Sequence, residues 1–431
     1  MEKTRRNTPK DQAPAQMLLP LLGLMATVKG ALLDLVLGAG FGVLQALLEQ
    51  EREQLCGARY KHNAARAASR AGYAPGELVL GGRRVTVQRP RVRSKEGEVP
   101  LPSWERLAAE DPLNARAVEQ MVLGVATRKY ARSLEPVPAE TKSRGMSKSA
   151  VSRRFVAATA KTLADWLGRS LSELSLAALM IDGIVCGEHT VLVALGIDEE
   201  GTKHVLGLWE GATENATACT GLLANLAERG LDVKRTMLVV IDGSKALAKA
   251  VRDTFGKRAL IQRCQVHKKR NVLEHLPERM RSATGATIST AYGCRDSKRA
   301  LSMLKKLATQ LERKHPSAAA SLREGLEETL TVISLKLNDA LTRTLATTNP
   351  IENLNSVLRR IHHNVKRWQD GTMVLRWVAV GLHEAMKGFR RLKGHEGMPK
   401  LVAALRAHHD GLQNENPLAA LKRPRRRTET A

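Results

Sequence analysis

Aromatic side chains are scarce in this chain: Phe, Trp and Tyr make up 3% of its 431 residues. That argues against stacking on single-stranded bases as a main binding mode, because such surfaces lay successive bases on aromatic rings. Acids are outnumbered as well, with 43 Asp and Glu against 69 Lys and Arg, a formal charge of +26. A field of that sign calls for a polyanionic partner, and with few aromatics the expected contact is with the backbone of a duplex. The five cysteines (Cys56, Cys186, Cys219, Cys264, Cys294) are odd in number and scattered. That excludes a disulfide framework and points to a reducing cytoplasm. A long unbroken apolar run is also missing. The segment from Met17 to Leu48 is interrupted by Pro20, Lys29 and Asp34 and ends in the charged run Glu49 to Gln54. It reads as amphipathic helix rather than signal peptide or membrane span, so no membrane partner is expected. No internal repeat is visible, and the length suffices for several domains with full cores.

What is present divides into textures. The basic start, to about residue 12, reads as disordered, and helices are expected from about residue 17 to 70. From Glu77 to Arg93 apolar and polar residues alternate around Gly81-Gly82, which predicts a hairpin. Its second strand carries Arg83, Arg84, Arg89, Arg91 and Arg93, and is either an edge strand guarded by charge or a ribbon that contacts DNA. A helix from Ala115 to Val125 is followed, after a loop, by a second helix capped by Ser147 or Ser149. Its first turns present Lys148, Ser149, Ser152, Arg153 and Arg154, which suits a plain helical pair or a helix-turn-helix reader of the major groove.

Beyond Leu176 strands take over. Leu176–Gly187, His189–Gly201 and Lys203–Gly211 read as a three-stranded meander. A helix (Ala216–Arg229), a strand (Thr236–Asp242), a helix (Ser244–Phe255) and a strand (Ala259–Cys264) follow. The order β-β-β-α-β-α-β predicts an α/β fold with a mixed sheet flanked by helices. From Gln265 to about Leu345 the chain is helical and charged, and it stays helical to a basic tail, Lys422–Arg427. That tail is a solvated end or an arm for phosphates.

Two Asp-Gly pairs, at Asp182 and Asp242, end or interrupt the first and fourth strands of this region. Either alone is a turn signal, but in a sheet of this order those strands can lie side by side and bring both acids to one spot. Glu352 has two readings. Asn349 can cap a helix with Pro350 in its first turn, and Glu352 then stands at capping-box spacing. Alternatively Glu352 joins the aspartates in a set of hard oxygen ligands suited to magnesium. Two such ions would activate a hydroxyl or water and stabilise the leaving 3′ oxygen of an in-line phosphoryl transfer. Along this helix Ile351, Leu354, Leu358, Ile361 and Val365 form an apolar stripe, and Glu352, Asn355, Arg359 and His363 a polar one open to DNA. Cys264 and His267 form a Cys-x-x-His pair. Zinc would require two further ligands, with His275 and Cys294 as candidates, and the reading goes against zinc. Glu188, Glu210 and Glu214 read as solvated turn residues, and Trp209 and Trp377 as core.

In order and spacing, "MIDGI" with Asp182, "GLWEGATEN", "LAERGL", "VVIDGSKAL" with Asp242, "QRCQVHKKRNVL" and "TTNPIENLNSVLRR" with Glu352 resemble the Mutator-type family of bacterial insertion-sequence transposases. The resemblance runs from about residue 55 to 395. It implies a ribonuclease H-like, mixed-sheet catalytic core with an all-helical insertion, and a mainly helical N-terminal DNA-binding region with a β-hairpin. The implied parts are residues 1–100 (helices and Arg-rich hairpin), 101–170 (helix-turn-helix-like), 171–275 with 345–395 (core), 276–344 (insertion) and 396–431 (tail). Asp182, Asp242 and Glu352 take the family's catalytic and metal-binding triad roles, with Cys264 and His267 near the site and Glu214 within a matched motif. Lys268, Lys269, Arg270, Arg359 and Arg360 join the earlier basic residues as expected DNA contacts.

The activity implied is that of a DNA transposase. It binds terminal inverted repeats, cuts with magnesium (manganese substituting), and joins the freed 3′ hydroxyl to target DNA. The implied partners are double-stranded DNA at the repeats and the target, and further copies of the chain in a homodimer or larger assembly. The implied location is the bacterial cytoplasm, at the nucleoid. Two other readings stand beside it. An inactive, transposase-derived DNA-binding protein would show an interrupted triad, whereas this one is complete. A ribonuclease H-like nuclease that cuts without joining would lack the N-terminal end-binding regions.

Overall fold

The computed structural model describes residues 40, 42–61, 66–80, 83–109, 118–133, 143–144, 147–211, 216–363 and 365–414. The basic start, the Gly81-Gly82 turn, the beginning of the helix expected from Ala115, Glu214 and the Lys422–Arg427 tail lie outside the described residues. The chain divides into two compact units, residues 1–155 and 156–431.

In the first unit, helix α1 (residues 42–56) precedes strands β1 (Ser69–Leu80) and β2 (Arg83–Ser94), which pair antiparallel from Ser69↔Arg93 to Leu80↔Arg83. The hairpin is longer than the alternation predicts. The register shifts between Arg70 and Tyr73, and this irregularity, with Gly72, Pro75 and Gly76 nearby, masks the strand in the sequence. Strand β3 (Gly97–Val99), helices α2 (Pro102–Ala109) and α3 (residues 118–122), and strand β4 (Ser143–Arg144) follow. Both β3 and β4 pair with β2, at Val92–Ser94 and Arg84–Val85, so the Arg-rich strand is flanked on its second side at both ends of a four-stranded sheet. Leu48, Leu78, Val85, Val87, Val92 and Trp104 build the core beneath it. Much of its charge is answered locally: Arg84 meets Glu77 at 2.8 Å, and Glu98 takes Arg89 at 3.0 Å and Arg91 at 2.7 Å.

Helix α4 (Lys148–Leu167) begins where Ser147 Oγ accepts from the Ala150 N–H at 3.2 Å. Between α3 and α4 lie a 3-10 turn (Tyr130–Ser133) and β4. A helix-turn-helix joins its helices by a turn of about 3–4 residues. The connection here is longer than such a turn and adds a strand to the sheet.

The second unit contains a five-stranded sheet, with β5 (Leu176–Cys186), β6 (His189–Asp198), β7 (Lys203–Gly211), β8 (Met237–Ile241) and β9 (Ala259–Arg263) in the order β7-β6-β5-β8-β9. The first three are antiparallel, and β8 and β9 run parallel to β5. Cys186 pairs with His189, and Gly187 adopts the left-handed φ of 64° that their two-residue turn requires. Helices α5 (Ala216–Glu228) and α6 (Lys245–Phe255), the latter capped by Ser244, cover one face by packing on Leu179, Ile181 and Val239.

After β9 come α7 (Gln265–Glu274), α8 (Glu278–Tyr292), α9 (Ser297–Glu312), α10 (Pro316–Arg323), α11 (Thr331–Ser334) and α12 (Asp339–Leu345). Of these, α7 to α10 share a core of their own around Val272, Ile288, Leu304 and Leu322. Buried Gln262 ties this excursion to β9, its Nε2 donating to the Thr329 carbonyl at 2.9 Å and its Oε1 accepting from the Val332 N–H at 2.9 Å. Helices α13 (Asn349–His362), α14 (Gly371–Lys387) and α15 (Met398–Asn414) close the other face of the sheet on Ala178, Met180, Ile184 and Val240. Covered on both sides, β5 has the near-continuous apolar run Leu176–Ile181, all buried. No helix among the described residues is long and apolar enough to cross a membrane.

Candidate active site

The sheet register brings the two aspartates level. Strands β5 and β8 pair as Ala178↔Leu238, Leu179↔Val239 and Met180↔Val240, an offset of 60 residues, and the same offset carried past the end of β8 joins Asp182 to Asp242. Asp182 alternates with Met180 and Ile184, which belong to the core under α13 and α14, so its side chain issues toward that face. Asp242 Oδ1 accepts from the Ser244 N–H at 2.8 Å, which fixes it at the start of α6. Burial pushes the Asp182 carboxyl up to about 6; the negative charges of Asp242 and Glu352 push the same way, while the Gly183 N–H and His267 oppose them. Asp182 therefore feels both of the other acids.

Glu352 sits in the first turn of α13, but the cap is Thr348 and not Asn349, whose backbone is already helical. The expected capping box is absent. The Thr348 hydroxyl donates to Glu352 Oε1 at 2.5 Å, and the Glu352 N–H is taken by the Thr348 carbonyl at 2.9 Å. Thr348 also reaches back to α7: its N–H donates to Cys264 Sγ at 3.5 Å, and its Oγ1 lies 3.5 Å from His267 Nδ1. His267 Nε2 is 3.6 Å from Glu352 Oε1. Among the described residues, donor atoms of Cys264, His267 and Glu352 gather within 4.8 Å of one another. Asp182, Asp242, His275 and Cys294 are outside that cluster. Burial pushes the Cys264 thiol up, but hydrogen bonds with His267 and Thr348 outweigh it and leave the thiol below its usual range. The same bond to Cys264 raises His267 against the opposing effect of burial.

One residue of the site escapes the sequence reading. Asn355 is fully buried and donates from Nδ2 to Asp182 Oδ2 at 2.8 Å, so it does not belong to a polar stripe facing solvent. The helical period places it one turn from Glu352 on the same side, and that was the available signal; the strand waiting opposite was not visible. Lys268 requires a second correction. It is buried, and its Nζ donates to the carbonyls of Ser321 at 2.7 Å and Glu324 at 2.6 Å at the end of α10, so its ammonium is turned into the protein and not out to solvent.

The other expected contacts divide by exposure. Lys148, Ser149, Ser152, Arg153, Arg93, Arg270, Arg359 and Arg360 are exposed, Arg154 and Lys269 are half-buried, and the side chain of Arg83 lies outside the description. Lys269 Nζ donates to Ser289 Oγ at 2.7 Å, and Arg270 lies 3.7 Å from Glu274. Glu210 is not a free turn residue, since it pairs with His189 at 2.7 Å; Glu188 is exposed. Trp377 is core, whereas Trp209 remains 37% exposed on strand β7.

The fold is α/β, and on its central strand Asp182 feels the charges of Asp242, just past the end of the next strand, and of Glu352, in the first turn of a helix, in a chain of charge +26. Residues 26–391 match the family described as Transposase, Mutator family. The chain is 30% identical over 356 residues to the transposase for insertion sequence element ISRM5 of Rhizobium meliloti, covering 79% of this chain and 86% of that relative. It is 28% identical over 356 residues to the transposase for IS256 in transposon Tn4001 of Staphylococcus aureus, covering 79% and 87%. With the transposase for IS1081 of Mycobacterium tuberculosis it shares 26% identity over 392 residues, 86% of this chain and 90% of that relative. The chain belongs to the Mutator family of transposases, enzymes that act on DNA. Its relatives mark it as one of the bacterial insertion-sequence kind.

Proposed function

We propose that this transposase binds the terminal inverted repeats of its own element and performs strand cleavage and joining at Asp182, Asp242 and Glu352, with magnesium as cofactor. The observation that carries the reading is the parallel β5–β8 register, which aligns the two aspartates, together with the upward push on Asp182 from Asp242 and Glu352. Three antiparallel strands followed by two parallel to the first support a ribonuclease H-like core over residues 171–275 and 345–395. Residues 276–344 are then the insertion and 1–100 and 101–170 the DNA-binding regions, while of the expected tail, 396–431, α15 belongs to the core through Met398, Leu401 and Leu405 and only the basic run Lys422–Arg427 beyond it remains a tail.

The donors fit the ion, since hard oxygens whose mutual repulsion helps to raise Asp182 are what a divalent cation neutralises. When bound, magnesium, or manganese in its place, supplies activation of the hydroxyl or water nucleophile and stabilisation of the leaving 3′ oxygen. The chain's own residues orient the acids: Asn355 holds Asp182, the Ser244 N–H holds Asp242, and the Thr348 hydroxyl holds Glu352. Exposed Arg359 and Arg360 on α13, with Arg270 on α7, offer charge for phosphates along the helices that begin at the site. Lys148, Ser149, Ser152 and Arg153 on α4, with Arg93, serve the repeat; Arg84, Arg89 and Arg91 contribute less because acids already pair with them. Synapsis of two ends makes the working form a homodimer or larger assembly, acting on nucleoid DNA in the bacterial cytoplasm.

The test is cleavage of a labelled duplex carrying the terminal repeat. Cleavage is expected with magnesium or manganese and not with calcium, whose looser coordination misplaces the reacting oxygens. Cleavage that persists in excess chelator, or is unchanged in Asp182→Asn, overturns the reading.

A further inference from the structure

We propose that Cys264, His267 and Glu352 form a second kind of metal site, one for a thiophilic divalent cation of the zinc type. The Cys-x-x-His spacing alone lacks ligands, and the structure supplies a third from another helix. Cys264 is the N-cap of α7 and His267 stands in its first turn, so both side chains leave the same end of the helix, where the dipole favours a thiolate. Glu352 arrives from the first turn of α13. The two helix starts are fixed against each other and against the sheet, because the Gln265 N–H donates to the Ala346 carbonyl at 3.0 Å and the Cys264 N–H to the Ile241 carbonyl at 2.8 Å.

The geometry suits a small tetrahedral ion. The three donors lie within 4.8 Å of one another, and His267 Nε2 stands 3.6 Å from Glu352 Oε1. Two such donors on tetrahedral zinc, each bound at about 2.0–2.1 Å, lie about 3.3 Å apart. Thr348 provides the outer support that metal ligands ordinarily have. Its N–H donates to the sulfur, its hydroxyl donates to the carboxylate, and its oxygen lies 3.5 Å from His267 Nδ1, the other ring nitrogen. A sulfur donor selects against magnesium and calcium and toward zinc. Three protein ligands leave a fourth position open to water or to a phosphate oxygen, as in open rather than structural zinc sites.

One consequence rests on the proposed triad: Glu352 is common to both sets, so a thiophilic ion draws it away from magnesium and acts as an inhibitor of strand transfer. Binding itself does not rest on that reading and is measured without DNA or turnover. The metal-free full-length chain is titrated with cobalt(II), followed by zinc. The parent is expected to develop a thiolate-to-cobalt charge-transfer band with tetrahedral d–d absorption, saturating at one equivalent and abolished by zinc. Cys264→Ser should lose the charge-transfer band, Glu352→Gln should bind cobalt at least about tenfold more weakly, and Cys294→Ser should match the parent. X-ray absorption of the zinc-loaded parent, which requires no variant to fold, should show one sulfur at about 2.3 Å and nitrogen or oxygen at about 2.0–2.1 Å. Absence of a sulfur neighbour in the parent, or an undiminished band in Cys264→Ser, overturns the proposal.

Discussion

Asn355 donates its side-chain N–H to Asp182 Oδ2 at 2.8 Å, tying the helix that begins at Glu352 to the strand that carries the first aspartate. Asn355 is fully buried, so Asn355→Ala removes a bond to a charged group and leaves Asp182 short of a donor. The expected loss of stability is about 1.5–3 kcal/mol by denaturant unfolding. Strand cleavage should fall further than repeat binding, and a higher magnesium concentration should be needed for half-maximal rate. Asn355→Asp, which sets a second carboxylate against Asp182, should be worse on both counts. If that variant unfolds and cleaves like the parent, Asn355 has no positioning role.

The pH dependence of stability offers a second check. Burial chiefly, then the charge of Asp242, raises Asp182 from 3.8 to about 6 in the folded chain, so the unfolded chain gives up its proton first as pH rises. Metal-free stability should therefore be full below about pH 4 as far as this group is concerned, and be lost as pH climbs through 6, by up to about 3 kcal/mol. Asp182→Asn is expected to unfold at a higher temperature than the parent at pH 7.5, with the gap narrowing at pH 5. Added magnesium should raise the parent's midpoint and leave that of the variant in place.

Glu352→Gln separates support from chemistry. A glutamine oxygen still accepts from the Thr348 hydroxyl, so stability should stay within about 0.5 kcal/mol of the parent, the usual scale of a neutral surface change. Cleavage and joining should drop by at least two orders of magnitude, about 2.7 kcal/mol in a barrier. Joining of ends at near-parental rate would leave Glu352 with a structural role only.

Lys268 and Arg153 should behave as opposites. Lys268→Met strips two carbonyls at the end of α10 of their donor; it should lower the unfolding midpoint while the salt dependence of DNA binding stays as it was. Arg153 is exposed on α4, and Arg153→Ala should leave the midpoint alone and reduce the slope of log affinity against log salt by about 1. Fluorescence anisotropy over a salt series reads both, and a salt slope that moves with Lys268 rather than Arg153 reverses the assignment.

The second unit is legible because its strands are buried on both faces and bounded by glycine or charged turns. Met237–Ile241 and Ala259–Arg263 fall within one residue of the strands expected at each end, and the 60-residue spacing of the two Asp-Gly pairs equals the offset of the β5–β8 pairing. What resisted reading depended on partners distant in sequence. Lys268 looks like any lysine in a basic run until α10 ends above it, and Asn355 looks exposed until β5 is set opposite. Asn349 followed by Pro350 imitates a helix start, so the sequence places the cap one residue beyond Thr348. In the first unit the bulge near Tyr73 and the two-residue strand β4 are too irregular for alternation to reveal.

The Gln265 N–H and the Ala346 carbonyl are joined at 3.0 Å, although all of α7 to α12 lies between those two residues. The excursion is thus a handle closed at its base, with its own interior. A change far from the base is absorbed by that interior, while the bond at the base keeps the start of α13, and Glu352 with it, beside α7.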